Sequence, residues 1–258
     1  MGYSIAICGK GGVGKTTISA LLISRLIARQ CKPILAIDAD PNTCLDRTLG
    51  INAEKTVGSI RENVKTEVAK GMASGISKQQ LLEMKIEESI VEEDDFDLIA
   101  MGRPEGPGCY CYANNVLKEV IKKISSQYPY VVLDNEAGLE NLSRRIIQKV
   151  DLLIMVTDPS QRGLETVKRL HTLANEMEIQ FEQSAVIINR LRKAELPQKA
   201  QQLKQEIGAQ TILGLPDDDQ LAELAEEGVN IFELPIDNPV IQKLDQFLDS
   251  IMEAKTES

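Results

Sequence analysis

The chain has 258 residues, 43% of them hydrophobic, enough to bury one sizeable core as a single domain spanning residues 1–258. Its 39 acidic against 29 basic residues leave a net charge of -10, which argues against nucleic acid or an anionic membrane as main partner. Trp is absent and aromatics are 3% of the chain, so a stacking platform for single strands is not expected. No run of about 18 apolar residues is present to span a bilayer. An odd set of five cysteines, with no leader ahead of the first apolar run, points to a reduced, cytoplasmic protein.

In chain order, short apolar runs predict strands at Ser4–Cys8, Pro33–Ile37, Asp97–Met101, Tyr130–Leu133, Leu152–Thr157, Ala185–Ile188 and Thr211–Leu213. Each is rich in Ile, Val and Leu without alternation, as parallel strands covered on both faces are. The segments between them, such as Thr16–Arg29 and Gly163–Met177, space their apolar residues as helices do. This alternation predicts an α/β fold, a doubly wound and mostly parallel sheet. Residues 52–95 are polar and acidic, with Gly71 and Gly75 among them, and read as an elaborated insertion. Residues 102–115 read as a turn-rich loop. The final helix sets Val240, Ile241, Leu244, Phe247, Leu248 and Ile251 on one face, predicting that it docks onto the body.

Gly9-Lys10-Gly11-Gly12-Val13-Gly14-Lys15-Thr16 fits G-x-x-x-x-G-K-[ST] and stands between a predicted strand and a predicted helix, the context such a loop needs; Thr17 follows it. Its glycines let successive backbone N–H groups face phosphate oxygens, helped by the positive end of the helix. Lys15 is then placed to bridge the β- and γ-phosphates of ATP, and the Thr16 hydroxyl to ligate Mg²⁺. Lys10 is a second lysine in the same loop. Near the tip it need not face its own nucleotide, and it can reach one in a neighbouring subunit as an arginine finger does.

Lys10-Gly11-Gly12-Val13-Gly14-Lys15-Thr16 resembles K-G-G-x-G-K-[ST], the deviant phosphate-loop signature of the family that includes MinD, nitrogenase iron protein and the arsenite-pump ATPase. The resemblance implies an ATPase that closes into a homodimer around ATP, with Lys10 crossing the interface. Ile37-Asp38-Ala39-Asp40-Pro41-Asn42 is similar to the family's switch I. That implies Asp40 as the group orienting or deprotonating the attacking water, Asp38 near the Mg²⁺ shell and Asn42 near Lys10. Leu133-Asp134-Asn135-Glu136-Ala137-Gly138 resembles switch II, whose Asp134 would hold Mg²⁺ through water. Asn189 and Leu215-Pro216-Asp217 match the family's adenine-contacting positions.

Cys109-Tyr110-Cys111 falls in the Gly/Pro-rich stretch. In an extended segment residues i and i+2 share a face, but two thiolates are too few for a closed zinc or nickel site. A symmetric dimer supplies the missing pair, giving a shared Cys₄ site for Ni or Zn. Cys8, Cys31 and Cys44 read as structural, and His171 as a packed or solvated helical residue. Gly108–Asn115 and Asp134–Arg145 together resemble CooC-type ATPases, which help to insert nickel into carbon monoxide dehydrogenase, and their AcsF-type relatives, which serve acetyl-CoA synthase. The likeness runs from Ser4 to about Asn238 and is weakest over residues 52–95. An iron–sulfur electron carrier of the nitrogenase type would need a cysteine near switch II, and residues 130–150 hold none. A MinD-like positioning ATPase sits poorly with the acidic C-terminus.

Overall fold

The computed structural model describes residues 2–69, 76–103, 111–138, 149–193 and 195–256, and of residues 65–69, 78, 111–117 and 254–256 the backbone alone. Its strands are β1 (Tyr3–Gly9), β2 (Ile34–Asp38), β3 (Val91–Glu92), β4 (Phe96–Ala100), β5 (Tyr130–Asp134), β6 (Lys149–Thr157), β7 (Gln180–Leu191) and β8 (Thr211–Pro216). They form one eight-stranded sheet in the order β3-β4-β2-β5-β1-β6-β7-β8. All neighbours pair in parallel except β3 and β4. The seven runs expected from the sequence are the seven parallel strands. The sequence reading missed β3, because two residues cannot show a pattern. It also missed the first half of β7, where exposed and part-buried positions alternate.

The helices are α1 (Lys15–Ala28), α2 (Leu45–Thr48), α3 (Val57–Ala69), α4 (Lys78–Glu87), α5 (Cys111–Ser125), α6 (Gln161–Glu176), α7 (Gln198–Ile207), α8 (Asp219–Glu227) and α9 (Pro239–Thr256), with a short 3₁₀ turn at Ile231–Glu233. Successive strand residues point to opposite faces, so Ala6 and Cys8 of β1 enter one core while Ile5 and Ile7 enter the other. The first core is closed by α3 to α7, with Ile60, Ile86, Val120, Val167 and Leu203 buried in it. The second is closed by α1, α2 and α9. Residues 52–95 thus supply two helices to the first layer and the edge strand β3 to the sheet. Gly71 and Gly75 lie outside the described residues. A reciprocal cap starts α4, where Ser77 Oγ accepts from the Gln80 amide at 3.1 Å and the Ser77 amide donates to Gln80 Oε1 at 3.0 Å.

Residues 111–115, read from sequence as loop, begin α5 instead. The last Gly or Pro of that stretch is Gly108, and the helical spacing of Val120, Ile121 and Ile124, all buried, belongs to the same helix. Among the described residues no helix is long and apolar enough to cross a membrane.

The six apolar residues expected on one face of α9 are all buried in the second core, each contributing about 1.5–3 kcal/mol relative to exposure. An ionic clamp fixes α9 against α1. Arg25 donates to Asp245 through Nε at 2.8 Å and Nη2 at 3.0 Å, and Arg29 donates to Asp245 and, at 2.8 Å, to Asp249. Burial alone would raise the Asp245 carboxyl, but the two guanidinium groups outweigh it and hold it below the usual carboxylate range. A carboxyl depressed on folding contributes stability above its ordinary range and loses it as pH falls through the folded value. Asp245→Ala should therefore cost about 1–2 kcal/mol at pH 7, about 2–6 °C in melting temperature. The deficit should shrink as pH falls below the carboxylate range, which melting curves at several pH values will read.

Candidate nucleotide-binding site

Gly9 ends β1 and Lys15 opens α1, so the loop between them lies at the carboxyl edge of the sheet. β1 stands where the strands divide, with β5, β2 and β4 to one side and β6, β7 and β8 to the other. Open parallel sheets bind ligands at such a division. Gly12 and Gly14 take φ of 78° and 91°, values that suit glycine and turn neighbouring amides inward. Gly14 is constrained twice, since a Cβ there would lie 2.6 Å from Asn189 Nδ2.

Loop contacts come from distant segments. Asn189 Nδ2 donates to the Val13 carbonyl at 2.9 Å and Arg190 Nη1 to the Gly12 carbonyl at 3.3 Å. The Gly138 amide donates to the Gly9 carbonyl at 3.1 Å, which ties the expected switch II to the base of the loop. Gly11, at the tip, faces Ala137. The two lysines are divided. Lys15 is buried and its Nζ donates to the Lys10 carbonyl at 3.2 Å, whereas the Lys10 side chain is exposed. Thr16 and Thr17, both part-exposed, open α1 beside it.

Asp38 ends β2 and Asp134 ends β5, paired in register. Both are buried. Burial raises the Asp134 carboxyl to about 7, with the charge of Asp38 adding to it and the Thr16 and Ser19 hydroxyls and Lys15 opposing. The Ser19 hydroxyl lies 3.0 Å from both Asp134 Oδ1 and the Lys15 carbonyl, and its one proton serves either. Asp134 Oδ2 is buried with no hydrogen-bond partner. An orphaned carboxylate oxygen beside the Thr16 hydroxyl fits a hard divalent cation such as Mg²⁺, which takes oxygen ligands.

Asp38, beside Asp134, is engaged by backbone amides. Oδ1 accepts from the Asp40 amide at 2.9 Å, and Oδ2 accepts from the amides of Cys44 and Leu45 at 2.9 and 3.0 Å. Both oxygens therefore shape the switch I backbone. Burial raises the carboxyl to about 6 against those three bonds. Asp40 is part-exposed, and its Oδ1 accepts from the Asn42 amide at 2.8 Å and from Asn42 Nδ2 at 3.0 Å. The Asn42 side chain bonds Asp40 and Arg103.

Asn189 and Pro216 lie near the carboxyl ends of adjacent strands β7 and β8, one on each side of an edge where a base could rest. Cys109 lies outside the described residues, and Cys111 is the first residue of α5. Among the described residues no group of three or more His, Cys, Asp or Glu converges as a metal site. Cys8 and Cys31 are buried, whereas Cys44, two residues beyond the expected switch I, is exposed. His171 packs edge-on against Phe181. The sequence reading missed Ser19, Arg103 and Arg190. Ser19 carried a signal, being polar between the apolar Ile18 and Leu22 on the buried face of α1.

A carboxyl whose proton is held more tightly in the folded state adds stability below its ordinary range, and that stability is lost as pH rises through about 7. Asp134→Asn keeps the side chain neutral at every pH. Without nucleotide it should melt about 2–4 °C above the parent at pH 8, the gap narrowing as pH falls below about 7 and closing only below the ordinary carboxylate range, while losing the Mg²⁺ dependence of ATP binding. Equal melting at pH 8 would show that the carboxylate is not opposed by its surroundings.

A family model described as an AAA domain, AAA_31, matches residues 3–187. An uncharacterised ATP-binding protein of Methanocaldococcus jannaschii is 43% identical over 252 residues, 97% of this chain and 99% of that protein. The carbon monoxide dehydrogenase accessory protein CooC of Rhodospirillum rubrum is 31% identical over 185 residues, 68% of this chain and 70% of that protein. Among solved structures, the cell division ATPase MinD of Pyrococcus furiosus superposes with a TM-score of 0.70 at 18% identity, covering 98% of this chain and 100% of that one. MinD of Pyrococcus horikoshii, complexed with Mg-ADP, superposes with a TM-score of 0.69 at 20% identity, covering 97% and 96%. The chain belongs to the AAA_31 family, as an ATP-binding P-loop ATPase with the MinD/ParA fold.

Proposed function

We propose that this ATPase is a nickel metallochaperone whose ATP-driven homodimerisation delivers the metal to a carbon monoxide dehydrogenase or an acetyl-CoA synthase. The observation that carries the dimer is the division of the two loop lysines. Lys15 lies within its own loop while Lys10 stands exposed at the tip, free to meet phosphates bound by a second copy. The similarity to the CooC accessory protein supports the client class, and Cys109-x-Cys111 supports the cargo. Two such pairs across a two-fold axis give four thiolates for one Ni²⁺ or Zn²⁺.

The chain's own residues divide the work. Loop amides and Lys15 bind the β- and γ-phosphates, and Asn189 and Pro216 bound the base. Thr16 and Asp134 would hold Mg²⁺, which when bound supplies charge neutralisation at the phosphate oxygens. Asp40 orients the attacking water and Lys10 stabilises charge from across the interface. Closing and reopening the dimer then changes the spacing of the thiolates. The burial of the apolar face of α9 in the second core favours this reading over a MinD-like ATPase that would use that helix on a membrane.

Two measurements test the proposal. Lys15→Ala should abolish ATP binding, whereas Lys10→Ala should bind ATP within a few-fold of the parent yet neither dimerise nor turn over. A Lys10→Ala protein with normal hydrolysis removes the crossing lysine. Equilibrium dialysis with Ni²⁺, read beside analytical ultracentrifugation, should give one metal per dimer and metal-promoted dimerisation. Cys109→Ser with Cys111→Ser should lose both and keep ATP binding, and metal uptake should weaken as pH drops below the thiol range. One metal per monomer, surviving that double change, defeats the shared site.

A further inference from the structure

Switch I is held from a side that the motif does not reveal. The segment leaving β4 is fixed tightly before it reaches Arg103. The Met101 amide donates to the Asp38 carbonyl at 2.8 Å, and the Met101 carbonyl accepts from the Gly58 amide at 2.9 Å. Gly102 takes φ of 60° with Thr56 packed where a Cβ would stand, and the Arg103 carbonyl occupies the corresponding space at Gly58. The Arg103 backbone is therefore referenced to the end of β2, from which switch I departs, and to the start of α3.

From that root the Arg103 guanidinium donates through Nη2 to Asn42 Oδ1 at 2.9 Å. Asn42 in turn donates to Asp40 Oδ1 from both its side-chain amide and its backbone. The backbone bond could form with any residue but proline at position 42. The side-chain bond needs the Asn42 amide turned with its nitrogen toward Asp40 and its oxygen away. A guanidinium has only donors to offer, so its bond to Oδ1 selects that orientation.

We infer that Arg103 is a positioning residue for hydrolysis, orienting Asp40 through the Asn42 side-chain amide without touching nucleotide. The inference rests on the reading of Asp40 as the water-orienting group. Misplacing such a group by a fraction of its hydrogen-bond reach lowers the rate without weakening phosphate binding. The relay is solvent-exposed, so its loss should scarcely move global stability.

The test measures kcat, the Kd for a fluorescent ATP analogue and the melting temperature in the full chain. Arg103→Ala and Asn42→Ala should each lower kcat about ten- to a hundredfold, with Kd within about twofold and melting within about 1 °C. The double variant should fall no further than Asn42→Ala alone, since the arginine acts only through that amide. Three results would overturn the relay: unchanged kcat in Arg103→Ala, a Kd raised in step with the loss of rate, or multiplied effects in the double variant. Asp40→Ala serves as the reference. Normal turnover there removes the role of Asp40 itself, whereas a dead Asp40→Ala beside an active Arg103→Ala removes only the relay.

Discussion

In a parallel sheet every strand delivers its carboxyl end to the same edge, and here seven strands do so. Gly9, Asp38, Ala100, Asp134, Leu191 and Pro216 end their strands on one rim, although they are scattered over most of the chain. No local interaction could gather them. The burial of both sheet faces fixes the register, since a slip of one residue would exchange the two cores. The site is thus a consequence of the two hydrophobic layers before any of its polar contacts form.

The polar contacts then impose a second order on that rim. A phosphate loop offers amides and therefore leaves its carbonyls to be satisfied elsewhere. Val13 finds Asn189, Gly12 finds Arg190 and Gly9 finds Gly138, while the Lys10 carbonyl accepts from Lys15. The loop is held by β7 on one side and by switch II on the other. Substitution at Gly14 would disturb Asn189 and its bond to Val13 as well as the loop, because Asn189 packs against it.

The two buried carboxylates show how one environment gives two roles. Asp38 meets three backbone amides and becomes the organiser of switch I. Asp134 meets Ser19 on one oxygen and nothing on the other, which leaves it prepared for a cation. Similar burial raises both. What separates them is the number of donors within reach.

Much of this was legible in the sequence. The seven parallel strands, the phosphate loop and the docking face of α9 announce themselves because each is a local pattern, an apolar run, a glycine spacing or a helical stripe. The two lysines of the loop, five residues apart in sequence, could be told apart by position. The sequence reading missed what depends on residues far apart in the chain. Ser19 under Asp134, Asn189 on Val13 and Arg103 on Asn42 join segments brought together only by the sheet. The motif implied that Asp38 sits near a cation and Asn42 near Lys10. What the motif does not show is that Asp38 also accepts from the amides of its own loop and Asn42 from Arg103, because a hydrogen bond goes to the partner that packing places within about 3 Å. Residue type and spacing determined which chemistry the chain carries. Only the tertiary structure decided which group meets which.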